Sequence, residues 1–234
     1  GSRVVFSAYG SPPEDFKKAA ELNLTVIDAV CPLVTRVHNE AKKYHREGKQ
    51  VLLVGHRGHQ EVRGTMGQVP MTLVDDAADS ELPSWDAQSE VAVLTQTTLS
   101  VGDTANAIKA IQERFPNAVV RTDICYATTN RQQAVTEMTA LVGLVLVIGA
   151  ENSSNCNRLR EVAELAGVPA YLINGPKEID PSWLEGIAKI GITSGASTPE
   201  VLVESVIQAL NPEKVTLLTG AEEDVSFTLP RELR

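Results

Sequence analysis

Short apolar runs alternate with longer amphipathic stretches along this chain, and most of the apolar runs end in a polar loop. Residues 51–55 and 145–149 are two such runs, with a length and composition typical of buried strands. The amphipathic stretches between the runs predict helices. Because strands that alternate with helices form parallel sheets, we predict an α/β fold.

Two markers recur at one offset, which indicates an internal repeat. Gly55 ends the first apolar run and Gly149 ends the second, 94 positions later. Cys31 and Cys125 each follow an apolar stretch and are also 94 positions apart. Two independent markers with the same offset predict tandem units of one small α/β fold.

The repeat divides the chain into four segments. We predict the remnant of a first α/β unit over residues 1–30, a second unit over 31–124, a third over 125–213 and a C-terminal tail over 214–234. Since the chain opens partway through a unit, a regular repeat predicts a further cysteine upstream of residue 1. The tail has no counterpart in the repeat, and we expect it to pack on the first remnant.

Polar loops lie where ligands bind in folds of this class. Ligands of open parallel sheets sit beyond the carboxyl ends of the strands. Loops rich in Ser, Thr and His follow the predicted strands at residues 7–14, 56–59, 95–103, 151–155 and 193–200. We therefore expect the loops of different units to converge on one shared centre.

Charge and cysteine content narrow the classes of function. The net charge of −9 does not provide the basic face that a nucleic-acid partner requires. No apolar run has the length needed to cross a bilayer, and the chain opens on a strand-like segment rather than a signal peptide. Three cysteines fit a disulfide framework poorly, so we expect a reducing, cytoplasmic compartment, with neither nucleic acid nor membrane as a partner.

Six motifs, spread over nearly the whole chain, carry a family resemblance. They are DAVCPLVTRVH at 28–38, GHRGHQEVRGTMG at 55–67, QTTLSV at 96–101, DICYATTNRQ at 123–132, NSSN at 152–155 and GAS at 195–197. Their content and order resemble those of the LytB/IspH family of iron–sulfur reductases. The resemblance implies three α/β units with parallel sheets around a pseudo-threefold centre, of which the first is incomplete here.

The resemblance also implies an activity and a cofactor. Members of the family reduce 4-hydroxy-3-methylbut-2-enyl diphosphate to isopentenyl and dimethylallyl diphosphate, the final step of the methylerythritol phosphate route to isoprenoids. A [4Fe–4S] cluster is held by three cysteines, one from each unit, and ferredoxin or flavodoxin would donate the electrons. Cys31 and Cys125 match two of these ligands. We expect this chain alone to hold a cluster poorly, and to be inactive, because the third cysteine ligand is missing from it.

The family motifs assign roles to further residues. Glu61 matches the proton donor, Thr97 the contact to the substrate hydroxyl, and His59 a ligand of the diphosphate. The remaining diphosphate contacts would be Ser153, Ser154, Asn155 and Ser197. Tyr9 stands where the family carries a histidine, so it can donate one hydrogen bond to the diphosphate but cannot become cationic.

Simpler interpretations of the same residues stay open. Ser and Asn at these positions are more often ordinary helix caps. Cys156 is interpreted as a substitution at a helix start rather than as a cluster ligand, and His38 and His45 are expected at the surface. A second hypothesis is a non-catalytic or divergent relative that acts as a diphosphate-binding module. Tyr9 favours that hypothesis, whereas an intact Glu61 and Thr97 oppose it.

Overall fold

The computed structural model describes residues 1–75, 82–218, 220–221, 224–230 and 233, and the chain divides into two compact units. The first contains the described residues up to Cys125 and those from Asp224 onward, and the second contains those from Tyr126 up to residue 221. Both are built from helices and parallel sheets, which confirms the predicted α/β class. The boundaries at residues 31, 125 and 214 stay a prediction, as does the shared centre.

A two-stranded sheet begins the first unit. Strand β1 (Arg3–Phe6) pairs in parallel with β2 (Thr25–Asp28), and α1 (Pro13–Glu21) connects them. Pro13 opens the helix, where a proline costs no hydrogen bond, and two acidic residues in the first turn complement the helix dipole. Phe6 packs edge-on against Phe16, with ring centroids 4.9 Å apart. This contact fixes α1 on the sheet.

A four-stranded parallel sheet follows, with the strand order β4-β3-β5-β6. The central strands β3 and β5 are almost completely buried because helices cover both faces of the sheet. In chain order the elements are α2 (Pro32–Arg46), β3 (Gln50–Gly55), α3 (Gln60–Met66), β4 (Thr72–Asp75), β5 (Val91–Thr95), α4 (Val101–Arg114) and β6 (Val119–Val120).

The second unit repeats this plan with the strand order β8-β7-β9. Its elements are α5 (Tyr126–Thr139), β7 (Leu144–Ile148), α6 (Ser154–Leu165), β8 (Ala170–Ile173), β9 (Ile190–Ser194) and α7 (Glu200–Leu210), with two short 3₁₀ helices between β8 and β9. The central strand β7 is again fully buried. Among the described residues, no helix is both long enough and apolar enough to span a membrane.

The repeat extends to the contacts that the two glycines make. A Cβ atom on Gly55 would lie 2.7 Å from Val62 Cγ2, and one on Gly149 would lie 2.3 Å from Cys156 Sγ. Val62 and Cys156 are themselves 94 positions apart. Cys156 is 1% exposed and belongs to the core of the second unit, so it occupies the place of an apolar residue near a helix start.

The expectation that His38 lies at the surface is wrong. Its side chain is only 8% exposed, and its imidazole lies against Gly10, where a Cβ atom would approach His38 Cε1 to 2.7 Å. Burial, and to a lesser extent the charge of Lys42, lowers the pKa of His38 to about 4. His38 therefore packs as a neutral group, whereas His45 is exposed as expected.

The loop between β1 and α1 packs against α3 without space for side chains. A Cβ atom on Gly64 would lie 2.4 Å from the carbonyl oxygen of Gly10, and one on Gly67 would lie 2.3 Å from Pro12 Cβ. Gly10 itself has a φ of +78°, a conformation that favours glycine. Residues 10–12 are thereby held at a fixed distance from α3. The tail at 224–230 belongs to the same unit but is largely exposed, so its packing on residues 1–30 stays a prediction.

We expect Gly64→Ala to destabilise the chain by about 1–3 kcal/mol, because the new methyl group must displace the backbone of Gly10. Gly102→Ala is the matched control. That exposed glycine lies in α4, where the nearest atom to an added Cβ is 3.8 Å away. The control should be neutral or stabilising by about 0.5–1 kcal/mol. Urea unfolding measures both variants, and equal stability of the two would contradict the close packing of this loop on α3.

Candidate active site

Glu61 lies at the start of α3, directly beyond the carboxyl end of β3. Gly58, with a φ of +84°, turns the chain between the strand and the helix. His59 caps the helix, since its Nδ1 atom accepts a hydrogen bond of 3.2 Å from the backbone N–H of Glu61. The side chain of Glu61 points inward and is 1% exposed. The helix start therefore places a carboxyl group in the interior.

Thr97 satisfies both oxygens of this carboxyl group. Its backbone N–H donates to Oε1 at 2.6 Å, and its hydroxyl lies 2.9 Å from Oε2. Thr97 reaches Glu61 because it follows β5, whose parallel pairing with β3 puts the two strand ends side by side. A buried carboxyl needs such partners, since an unpaired one would cost several kcal/mol.

The environment makes Glu61 a weak acid that titrates near neutral pH. Burial raises the pKa of Glu61 from 4.5 to about 7, opposed by the two bonds from Thr97 and reinforced by the charge of Asp123. When Glu61 is protonated on Oε2, the hydroxyl oxygen of Thr97 can accept that hydrogen. A proton donor works best when its pKa lies near the operating pH.

Two polar residues of this region, the buried Gln96 and the half-buried Asp123, were not singled out by sequence reasoning. Gln96 is 1% exposed; its Oε1 accepts the N–H of His56 at 3.0 Å, and its Nε2 donates to Thr98 Oγ1 at 2.8 Å. Asp123 has its pKa raised, chiefly by burial, and its Oδ2 has no hydrogen-bond partner in the described part of the chain. Both residues lie inside the family motifs, and this position was the only feature of the sequence that could have indicated them.

The two candidate cluster ligands occupy equivalent positions. Cys31 precedes α2 and donates its N–H to the carbonyl of Ala8 at 3.0 Å, while Cys125 precedes α5 and donates its N–H to the carbonyl of Thr97 at 3.0 Å. Each acceptor lies two residues beyond the end of a strand. Neither cysteine is in a disulfide, and both are partly exposed.

This donor set fits an iron–sulfur cluster only in part. Cysteine thiolates are the usual ligands of such clusters, and Cys31 and Cys125 supply two of the three that the family resemblance implies. Residues 1–75 and 82–218, with the shorter described segments, hold no group of three His, Cys, Asp or Glu side chains placed to bind one metal ion.

Tyr9 lies beside His59. The two rings meet edge to face, with centroids 5.3 Å apart and planes at 80°. Tyr9 is 36% exposed, so one side of its ring faces solvent. Tyr9, His59, Glu61 and Thr97 thus belong to one continuous region of the first unit.

The remaining candidates lie in the second unit. Ser153 caps α6, since its Oγ accepts the N–H of Cys156 at 3.3 Å. Asn155 is 7% exposed, yet neither Oδ1 nor Nδ2 has a hydrogen-bond partner among the described residues. Gly195 lies close by, because a Cβ atom on it would be 3.7 Å from Asn155 Nδ2. Ser154 begins α6 and Ser197 is exposed in the loop after β9.

The unpaired amide of Asn155 makes the start of α6 a candidate ligand site. A buried polar group without a partner costs about 1–3 kcal/mol, a cost that a bound ligand would remove. The adjoining helix N-terminus favours an anion. Whether this set meets the one around Glu61 at a shared centre stays a prediction.

Comparison with known proteins identifies the family. The profile of the LytB protein family matches residues 1–211. The chain belongs to the LytB family. The matched residues include the two candidate cluster ligands Cys31 and Cys125, the Glu61–Thr97 pair and the loops of the second unit.

Relatives of this LytB chain are named as reductases. A 4-hydroxy-3-methylbut-2-enyl diphosphate reductase 1 from Rhodopseudomonas palustris is 50% identical over 240 residues, which cover 98% of this chain and 78% of the relative. A reductase of the same substrate from Actinobacillus pleuropneumoniae is 48% identical over 244 residues, covering 100% of this chain and 78% of the relative. These names give no support to a non-catalytic module.

Solved structures agree with this assignment. The E-1-hydroxy-2-methyl-but-2-enyl-4-diphosphate reductase from Plasmodium falciparum matches with a TM-score of 0.94 and 32% identity, over 99% of this LytB chain and 76% of the other. An (E)-4-hydroxy-3-methyl-but-2-enyl diphosphate reductase, described as the terminal enzyme of the non-mevalonate pathway, matches with a TM-score of 0.60 and 30% identity, over 89% and 75% of the two chains.

The raised pKa of Glu61 predicts a pH-dependent stability. Because the folded chain binds this proton more tightly than the unfolded chain, the free energy of unfolding should fall as pH rises from 4.5 to about 7. The loss should amount to roughly 3 kcal/mol. Glu61→Gln should remove this part of the slope, as measured by urea unfolding at several pH values.

The matched control is Glu90→Gln, since the Glu90 side chain is 71% exposed and pairs with Lys49 at the surface. This control should leave the slope unchanged. If Glu61→Gln keeps the slope of the parent chain, the Glu61 carboxyl does not titrate near neutral pH.

Proposed function

We propose that this chain carries the catalytic core of a 4-hydroxy-3-methylbut-2-enyl diphosphate reductase, which removes the substrate hydroxyl and yields isopentenyl and dimethylallyl diphosphate. The Glu61–Thr97 pair carries this proposal. It is a buried carboxyl with a pKa of about 7, bound at both oxygens by one residue of the neighbouring strand end. A purely binding module would have no use for a proton held in this way.

The pair delivers a proton to the leaving hydroxyl. Hydroxide is a poor leaving group from an allylic carbon, so it must be protonated as the C–O bond breaks. The Thr97 hydroxyl orients the substrate oxygen, and Glu61 supplies the proton from Oε2 through the 2.9 Å hydrogen bond to Thr97 Oγ1 or directly. Such a donor contributes about 10²–10⁴-fold to the rate.

Cys31 and Cys125 supply two of the thiolates that would hold a [4Fe–4S] cluster. When bound, this cluster would supply the two electrons of the reduction, which it would receive from ferredoxin or flavodoxin. Support comes from the equivalent placement of the two cysteines. Each precedes a helix, and its backbone N–H donates a hydrogen bond to the loop after a strand. The carbonyl of Thr97 accepts a hydrogen bond from the N–H of Cys125, and the N–H of Thr97 donates to Glu61. One residue therefore links a proposed cluster ligand to the proposed proton donor.

The diphosphate is bound by hydroxyl, amide and imidazole donors rather than by a dense cationic patch. Ser153, Ser154, Asn155 and Ser197 provide hydroxyl and amide groups around the starts of α6 and α7, and His59 provides an imidazole. The support for this assignment is the Asn155 amide, which is buried without a partner in the described part of the chain. Helix dipoles and backbone N–H groups complete the site, so the net charge of −9 is no obstacle.

In a protein that also supplies the third cysteine ligand, Glu61→Gln should lower turnover about 10²–10⁴-fold and leave iron content unchanged, because the amide keeps the shape of the side chain but cannot release the proton. Cys31→Ser should lower iron content and turnover together, because a cluster ligand is lost. Anaerobic reconstitution, iron counting and a reductase assay with excess reduced electron carrier measure these effects.

Cys156→Ala serves as the cysteine control, since this buried thiol packs in the core and is not a proposed ligand. It should keep the iron content of the parent. Near-parental turnover of the Gln variant would show that another group donates the proton, and iron loss in Cys156→Ala equal to that in Cys31→Ser would refute the ligand assignment.

Asn155→Leu separates binding from stability. Because it removes a buried amide without a partner, the free energy of unfolding should stay the same or rise by about 1–3 kcal/mol. Affinity for inorganic pyrophosphate should fall at least about tenfold, because a hydrogen bond and its orientation are lost. Calorimetric titration and urea unfolding measure the two effects.

Asn157→Ala is the matched control on the same helix, since the amide of Asn157 donates to the carbonyls of Glu151 and Ser153 at 2.7 and 3.0 Å. This control should lose stability, but it should bind pyrophosphate at least as tightly as Asn155→Leu does. Unchanged pyrophosphate affinity in Asn155→Leu would remove Asn155 from the site.

A further inference from the structure

Tyr9 makes a contact that its family position does not explain. A histidine at this position could bind the diphosphate, but the ring of Tyr9 stands against the His59 imidazole, edge to face at 5.3 Å. Edge-to-face pairs favour one relative orientation of the rings, because the positive edge of one meets the negative face of the other. The tyrosine ring therefore restricts how the imidazole can turn.

The orientation of His59 matters because both of its ring nitrogens have defined functions. Nδ1 accepts the N–H of Glu61 at 3.2 Å, so in the neutral imidazole it carries no hydrogen. The hydrogen is then on Nε2, and Nε2 is the atom through which His59 can donate to an anion. A ring flip would exchange the nitrogens for carbons. It would thereby remove the cap of α3, the helix that contains Glu61.

Side-chain contacts hold the loop that contains Tyr9 (residues 7–12, the Tyr9 loop) and the adjoining start of α1 on α3. Asp15 accepts two hydrogen bonds from the Arg63 guanidinium, at 2.8 and 2.7 Å, a paired geometry that sets distance and angle together. Gln68 Nε2 donates to the carbonyl of Ser11 at 3.2 Å. With the close approach of Gly10 to Gly64, these contacts hold the Tyr9 loop and the start of α3 as one body.

We propose that Tyr9 is a positioning residue, whose ring holds the His59 imidazole with Nδ1 on the helix cap and with its hydrogen on Nε2, ready to donate to a diphosphate. The proposal rests on the proposed function, in which His59 is a diphosphate ligand. It assigns Tyr9 an action through His59, whereas the family resemblance implied a direct hydrogen bond from this position. The tyrosine ring, and not its hydroxyl, is the part that acts.

The test combines nitrogen NMR with ligand binding on the full chain. Long-range proton–nitrogen correlation spectra of ¹⁵N-histidine-labelled protein report the tautomer of each imidazole, and His59→Gln assigns the His59 signals. Tyr9→Phe should keep the parental tautomer and pyrophosphate affinity, because it keeps the ring. Tyr9→Leu should show partial loss of the Nε2–H form and about three- to tenfold weaker pyrophosphate binding.

Two further variants test the specificity of the effect. Tyr171→Leu removes a ring that stacks on Trp183 at 3.8 Å in the other unit, so it should lower stability but keep the His59 tautomer. Asp15→Arg should disturb the His59 signals by loosening the Tyr9 loop. The double reversal Asp15→Arg with Arg63→Asp should restore them, because it re-forms the ion pair.

Several outcomes would overturn the proposal. A parental His59 with its hydrogen on Nδ1, or unchanged spectra and affinity in Tyr9→Leu, contradicts the positioning role. Equal losses in Tyr9→Phe and Tyr9→Leu would assign direct binding to the hydroxyl instead. If the parent binds no pyrophosphate, the proposed diphosphate site fails, while the spectra still decide whether Tyr9 positions His59.

Discussion

The burial of one carboxyl group constrains the arrangement of the first unit. Glu61 is tolerated at 1% exposure because Thr97 satisfies both of its oxygens, and this requires the ends of β3 and β5 to be neighbours. Thr97 also accepts the N–H of Cys125 through its carbonyl. A shift of Thr97 would therefore disturb the proposed proton donor and a proposed cluster ligand together.

The second unit carries different side chains at the equivalent positions of the same scaffold. Asn155 lies 94 positions after Glu61, as Ser153 does after His59. Ala196 lies two residues beyond β9, the place that Thr97 has beyond β5, and it has no hydroxyl to offer. The amide of Asn155 is consequently unpaired within the described chain. Replacing a carboxyl by an amide removes a charge that would repel phosphate, so in the proposed function the same helix start would hold a proton in one unit and bind an anion in the other.

Sequence periodicity predicted the α/β class, the parallel sheets and the equivalence of Cys31 and Cys125, because strand length and loop composition are local properties. It misplaced His38, whose neighbours in sequence are charged. His38 nevertheless lies on the helix face of Val34 and Ala41, four residues after one and three before the other, and this face is buried. The contacts of Gln96 with His56 and of Asp123 with Thr95 were beyond prediction, since they join segments 40 and 28 residues apart.

The proposed function requires an acidic chain to bind a diphosphate near an acidic side chain, so the repulsion between them has to be limited. Burial does this for Glu61: the same desolvation that raises its pKa to about 7 leaves the carboxyl partly neutral at neutral pH. Approach of a diphosphate to His59, which caps the helix of Glu61, would favour the neutral form further, since a nearby negative charge opposes ionisation. Substrate binding would thus load the donor with the proton that the reaction needs.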